Sequence, residues 1–208
     1  MSFTDHQIES LYQGVRGEIS EYRFLHIAGV ERTAIALGEL YMPESISELR
    51  VAALLHDITK ELSTDEHISL MKKHGVAVSE NDLRSPKVLH SKTAELAVVE
   101  RYGEFATERI LQALRYHTTG NAEMTVFDAL IYFADYIEDT RTFADCVALR
   151  EYFWSVEPSK MTLVQREIHL WQTVLKSLEM TIKDIESSGG YISEETLLAK
   201  EAIEKKLS

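Results

Sequence analysis

The stretch Leu54-Leu55-His56-Asp57-Ile58-Thr59-Lys60 ends the apolar run Val51-Ala52-Ala53-Leu54-Leu55 with a histidine and an aspartate side by side. The run has the composition of a buried helix, so its last turn delivers two metal-type ligands at the edge of a core. An adjacent His-Asp pair arises often by chance. Its weight comes from further histidines, and one aspartate, that end or open apolar segments elsewhere in the chain.

Working outward from that helix, the chain reads as helix after helix. It has 9 Gly and only 3 Pro in 208 residues, and few alternating β-branched runs. Thr4 or Asp5 caps a first helix to about Gly17. Tyr22–Tyr41 forms a second, stopped by Met42-Pro43. Ser45 or Ser47 caps the helix of Leu49, Val51, Leu54 and Leu55. Ser63-Thr64-Asp65-Glu66 opens another that Gly75 ends. Pro86 opens a helix through His90 to about Tyr102-Gly103, and Glu104–His117 follows, ended by Thr118-Thr119-Gly120. Glu123–Glu138 is next, with Met124, Phe127, Leu130, Ile131 and Ala134 inward. Asp145–Trp154 is shorter, and Pro158 starts a long helix to Glu186. Ser193–Leu207, with an imperfect capping box, is the last. There is no repeat and no low-complexity linker, so an all-α, single-domain helical bundle is expected over 1–208. Its core is at about 22–140, with C-terminal helices at 145–207 packing on it.

A chain of this size buries roughly 70% of its unfolded surface, enough for a core without staples. The single cysteine, Cys146, excludes an internal disulfide and fits a reducing compartment. No signal-peptide pattern and no membrane-length apolar run is present, so the expectation is cytoplasmic, with no membrane partner. The net charge of −12 argues against a nucleic-acid binder, which needs a basic footprint. It leaves open a small phosphorylated substrate, and it leaves a homodimer open.

Five helical segments each bring a ligand-type residue to where an apolar face meets a turn: His26, the pair His56-Asp57, His90, His117 and Asp135. Asp135 follows Ile131-Tyr132-Phe133-Ala134, a segment too apolar to hold a bare charge. It calls for a metal, or for a salt bridge to Arg141 or Arg115. A lone histidine beside an apolar run is more often a hydrogen-bonded core residue than a ligand. His6, His67, His74 and His169 are given no role on that ground. Cys146 reads as a small buried hydrophobe, and Trp154 and Trp171 as core. Imidazoles with carboxylates suit iron, manganese or zinc without any thiolate. Four or more such ligands hold one metal, or two bridged by Asp57, and a metal pair activates water against a phosphoryl group.

In that order the chain resembles the HD-domain metal-dependent phosphohydrolases: His, then His-Asp, further histidines, and a late Asp. Arg23-Phe24-Leu25-His26-Ile27-Ala28-Gly29-Val30 looks like the first ligand helix of that family. His117-Thr118-Thr119-Gly120 with Met124, and Tyr132-Phe133-Ala134-Asp135-Tyr136-Ile137-Glu138 with Arg141, resemble its YqeK-type branch. So does the tail Gly190-Tyr191-Ile192-Ser193-Glu194-Glu195-Thr196. That branch cleaves diadenosine tetraphosphate symmetrically to two ADP, and the likeness covers about Tyr22 to Ala202. It implies His26, His56, Asp57 and Asp135 as metal ligands, with one or two iron ions as cofactor. His90 and His117 match positions on the second-metal or phosphate side, and Arg23, Thr118 and Arg141 match nucleotide contacts. Two departures fall in the loop beside the nucleotide. Asp139 follows Glu138 where the family has Pro, and Ala144-Asp145 follow Phe143 where it has Pro-Gly.

In the mechanism these residues imply, Asp57 orients the nucleophile. His90 and His117 neutralise the leaving phosphate, act as general acid, or complete a second metal site. Lys60 shares the face of His56 and Asp57 if the helix continues, and meets a phosphate; otherwise it is a solvated lysine. Two other functions stay open: an HD phosphohydrolase acting on a mononucleotide, nucleoside triphosphate or cyclic nucleotide, and a non-catalytic nucleotide-sensing module.

Overall fold

Hydroxyl caps fix most of the helix starts. The computed structural model describes residues 2–208. Among them are α1 (Asp5–Glu18), α2 (Glu21–Tyr41), α3 (Ile46–Leu55), α4 (Thr64–Lys73), α5 (Glu80–Arg84) and α6 (Leu89–Arg101). The chain continues with α7 (Glu108–Tyr116), α8 (Val126–Ile137), α9 (Ala144–Ser155), α10 (Leu163–Ser187) and α11 (Glu194–Leu207). No strand occurs among the described residues. Capping boxes open α1 from Thr4 with Gln7, α4 from Ser63 with Glu66, and α8 from Thr125 with Asp128.

Several starts differ from the expectation for a local reason. The Thr107 hydroxyl accepts the Ile110 N–H, so α7 begins at Glu108, and Glu104 belongs to a 3-10 turn before it. Thr125 likewise moves the start of α8 past Glu123 and Met124. Pro158 heads its own 3-10 turn, and a Thr162–Gln165 box starts α10. Neither expected serine caps α3: Ser45 ends a 3-10 turn and takes a hydrogen bond from Arg109, while Ser47 accepts the Phe3 N–H. Ser193 bonds the Glu195 carboxylate and makes no cap bond to α11. The short α5 has its own Ser79–Asp82 capping box, a serine–acid spacing not read from the sequence.

The core centres on α3, whose Leu49, Val51, Ala52, Ala53, Leu54 and Leu55 are all fully buried. Each fully buried leucine or valine contributes roughly 1.5–3 kcal/mol by leaving water. α3 packs on α1, α2, α7 and α8, and its closest neighbour is α2. A Cβ at Gly38 would lie 2.8 Å from the Leu49 side chain, so glycine sets that approach. α8, buried over most of its length, packs on α2, α3, α7 and α10. Trp171 belongs to this core, whereas Trp154 is 37% exposed, contrary to expectation, because α9 turns it to the surface. The result is a helical bundle in which α2, α3, α6, α7 and α8 all bring residues to one point.

Candidate metal centre

That point collects every ligand-type residue singled out in the sequence. The last turn of α3 ends at Leu55, and three i+3 backbone bonds carry the chain through Ile58, Lys60 and Leu62. This tightened turn keeps His56, Asp57 and Lys60 on the site although the α-helix does not continue. His26 comes from α2, His90 from α6, His117 from the residue after α7, and Asp135 from α8.

One device orients three of the histidines. The Nδ1 of His56, His90 and His117 lies 2.7, 2.8 and 2.7 Å from the carbonyl three residues earlier, of Ala53, Lys87 and Leu114. A carbonyl only accepts, so each Nδ1 carries hydrogen, and each ring turns its Nε2 into the site. In His26 the same task falls to a carboxylate, Glu138 Oε1, at 3.0 Å from Nδ1. Glu138 is itself held by the Thr140 N–H at 2.7 Å and the Thr140 hydroxyl at 2.6 Å. Sequence reasoning gave Glu138 no role, though it ends the quoted Ala-Asp-Tyr-Ile-Glu run; a carboxylate just past a buried helix was the available signal.

Asp57 faces two ways. Its Oδ2 lies 3.6 Å from His26 Nε2 and 3.7 Å from His56 Nε2, while Oδ1 lies 3.3 Å from His90 Nε2 and 3.6 Å from His117 Nε2. Asp135 Oδ1 adds contacts of 3.0 Å to His26 Nε2 and 3.9 Å to His56 Nε2. Buried His26 Nε2, His56 Nε2 and Asp57 Oδ1 have no hydrogen-bond partner. Orphaned buried polar atoms are costly, and lone pairs converging on one volume fit a divalent cation. Three overlapping His/Asp triads meet there, with ligand atoms within 4.8 Å of one another.

The charge states agree with that fit at Asp57, Asp135, His56 and His90, whereas His26 is protonated near neutral pH and a cation there would displace its proton. Burial opposes ionisation of Asp57, yet His56, His117 and Lys60 beside it hold its carboxyl well below the usual range. Burial also opposes Asp135, and Arg141 and His26 more than offset it. Burial pushes His56 down to about 4 and His90 well below its ordinary value. Burial would lower His26 too, but Asp135 and Glu138 raise it to about 9. Near neutral pH the carboxylates are charged and His56 and His90 neutral, as ligands must be.

Cations ring the carboxylates. Arg23 Nη1 donates to Asp57 Oδ2 at 2.7 Å, and Arg141 is paired with Asp135. Of the two arginines considered for Asp135, Arg115 pairs instead with Glu95. Lys60 Nζ lies 2.9 Å from His90 Nε2 and 3.9 Å from Asp57 Oδ1, so it faces the site, and the Thr118 hydroxyl lies 3.0 Å from His90 Nε2. Arg23, Lys60 and Arg141 line a cavity of about 310 Å³ that opens onto His26. His67, His74 and His169 stand apart, bonded to Thr93, Glu100 and the Phe153 carbonyl, and Cys146 is a buried free thiol.

A family model for the HD domain matches residues 23–140. The chain belongs to the HD domain family. A symmetrical bis(5'-nucleosyl)-tetraphosphatase of Bacillus subtilis (strain 168) is 33% identical over 129 residues, 62% of this chain and 68% of that protein. Another, of Staphylococcus aureus (strain NCTC 8325 / PS 47), is 29% identical over 184 residues, 82% of this chain and 92% of that one. Among solved structures, a predicted HD superfamily hydrolase involved in NAD metabolism from Clostridium acetobutylicum is 25% identical. It superposes with a TM-score of 0.81 over 99% of this chain and all of that one. No helix among the described residues of this HD-family chain is long and apolar enough to cross a membrane.

Proposed function

We propose that this HD-family protein hydrolyses diadenosine tetraphosphate symmetrically to two ADP. The observation that carries the reading is Asp57, whose two oxygens face two separate histidine pairs inside a ring of cations. The relatives that bear the name of this activity support it. His26, His56, Asp135 and Asp57 Oδ2 would hold one metal ion, and His90, His117 and Asp57 Oδ1 a second. A nitrogen–oxygen donor set without thiolate suits iron, our choice, and also manganese or zinc. When bound, the metal acidifies water and draws negative charge from the phosphoryl oxygens.

The side chains do the remaining work. Asp57 orients the attacking water. The water oxygen bonds to one of the two central phosphorus atoms, the bond to the bridging oxygen breaks, and two ADP separate as the protons of the water are released. Arg23 and Arg141 grip phosphate oxygens with planar, permanently charged forks. Lys60 meets the departing phosphate, and Thr118, whose hydroxyl faces the site beside His90, contacts the nucleotide. The dinucleoside polyphosphate is the partner this reading requires, and the acidic surface does not favour nucleic acid.

The test is to measure metal content of the purified protein, then incubate it with diadenosine tetraphosphate and resolve the products by ion exchange. ADP as sole product is expected. ATP and AMP together would overturn the symmetrical reading, and bound metal without cleavage would direct the search to another nucleotide.

A further inference from the structure

Three cavities that share lining residues lie across the centre. The central one holds Arg23, Lys60 and Arg141. Arg141 and Phe143 also line a cavity of about 510 Å³ on the Asp135 side, and Lys60 also lines one of about 400 Å³ on the His90 side. Both outer volumes are of the size that holds small-molecule groups. Their charges are opposite. The Asp135-side cavity carries the carboxylates of Asp145 and Asp184 and the apolar faces of Tyr136, Phe143 and Met180, with Arg141 its single cation. The His90-side cavity carries Lys60, Lys87 and two histidines, and none of its lining residues is acidic.

Asp145 and Asp184 repel a phosphate but accept hydrogen bonds from ribose hydroxyls and an adenine amine. Phe143, 70% exposed, offers a ring for a base to stack on. Lys60 and Lys87 favour phosphate and offer a nucleoside no acceptor. We propose that these neighbouring cavities sort the substrate by charge, with one nucleoside in the Asp135-side cavity and the phosphates of the other half in the Lys60–Lys87 cavity. This rests on the dinucleotide reading above. It makes the two halves of a symmetric substrate inequivalent once bound, so that one ADP departs from a cationic site and the other from an acidic one.

Two fragments separate the sites: adenosine, which has no phosphate, and tripolyphosphate as its magnesium salt, which has no nucleoside. Each is titrated calorimetrically into the metal-loaded full chain, native, Asp184→Lys and Lys87→Glu; both residues are exposed, so folding is preserved. Asp184→Lys is expected to weaken adenosine about tenfold and leave tripolyphosphate no weaker, and Lys87→Glu to do the reverse, about the worth of one charge-assisted hydrogen bond. Native protein that binds no adenosine, or either substitution weakening both fragments alike, overturns the proposal. No cleavage is needed for this readout. The crossed pattern in a protein inert toward diadenosine tetraphosphate would overturn the substrate reading alone.

Discussion

His90 and His117 face each other Nε2 to Nε2 at 3.1 Å, and both commit Nδ1–H to a carbonyl three residues back. With Nδ1–H so committed, the two electronegative Nε2 atoms repel each other, and burial resists protonation of His90. A divalent cation held between them would relieve that repulsion, and it would bind the folded state in preference to the unfolded chain. Ligand held at 100 times its dissociation constant stabilises by about 2.7 kcal/mol. At about 2–4 °C per kcal/mol for a chain of this size, chelation is expected to lower Tm by roughly 5–10 °C, with recovery on restoring metal. Scanning calorimetry with and without chelator checks this; an unchanged Tm would sink it.

Glu138 and Gly29 form the support for His26. A Cβ at Gly29 would lie 2.3 Å from Glu138 Oε2, and that carboxylate is pinned by His26 and by Thr140. Outer-shell partners of this kind are worth about 10–100-fold in metal affinity. Glu138→Ala and Gly29→Ala are therefore both expected to weaken metal binding by about that factor, the first by removing the carboxylate and the second by displacing it. Competition against a chromophoric chelator measures the affinity. Native affinity in Glu138→Ala would show that the carboxylate does not orient the ring.

The parts of the centre that a sequence exposes are those delivered by one turn. His56 and Asp57 are adjacent and end an apolar run, and Asp135 ends another, so their placement follows from helix periodicity. The two-sided use of Asp57 was legible only as a possibility, since it depends on α6 and α7 approaching from the side opposite α2. Glu138 was missed because its partner His26 is 112 residues away: the carboxylate just past α8 was visible, but no local pattern says which ring it meets. The helix starts that shifted did so where Pro158 or Glu104 competed with Thr162 or Thr107 for the first turn, and the hydroxyl cap won. The serine expected to cap α3 lost because a 3-10 turn already occupies its backbone.

Asp57→Asn keeps the shape of the side chain and removes its charge. Arg23 Nη1 loses its carboxylate partner, and the two histidine pairs lose the anion between them. Activity toward diadenosine tetraphosphate is expected to fall by at least about 10²-fold, a typical contribution of one positioned catalytic group, while far-UV circular dichroism stays native. Metal content should fall too, and more steeply at the His90–His117 side, where Asp57 Oδ1 is the one carboxylate oxygen in contact. Full turnover in the variant would remove Asp57 from the mechanism.

Away from the centre, Asp82 ties α5 to α6 and α11. Lys92 Nζ donates to its Oδ1 at 2.6 Å and lies 3.4 Å from Glu195, while Ser79 donates its N–H and hydroxyl to Oδ2 at 2.9 and 2.8 Å. Burial would raise the Asp82 carboxyl, but Lys92 and Ser79 hold it below the usual value. Burial would lower Lys92, but Asp82 and Glu195 raise it. A depressed carboxyl stabilises above its unfolded value, about 3.9, and that stability is lost as pH falls through the folded value. A raised ammonium stabilises below its unfolded value, about 10.4, and that stability is lost as pH climbs past it. This ion pair therefore contributes a plateau between about pH 5 and 9, with an acid limb owed to Asp82 and an alkaline limb owed to Lys92. Asp82→Asn is expected to cost about 1–3 kcal/mol at pH 7, and to lose less stability than native protein between pH 7 and pH 3. Urea midpoints at the two pH values decide it: an equal drop in both proteins would mean that the acid limb comes from other carboxylates, the buried Asp57 and Asp135 first among them.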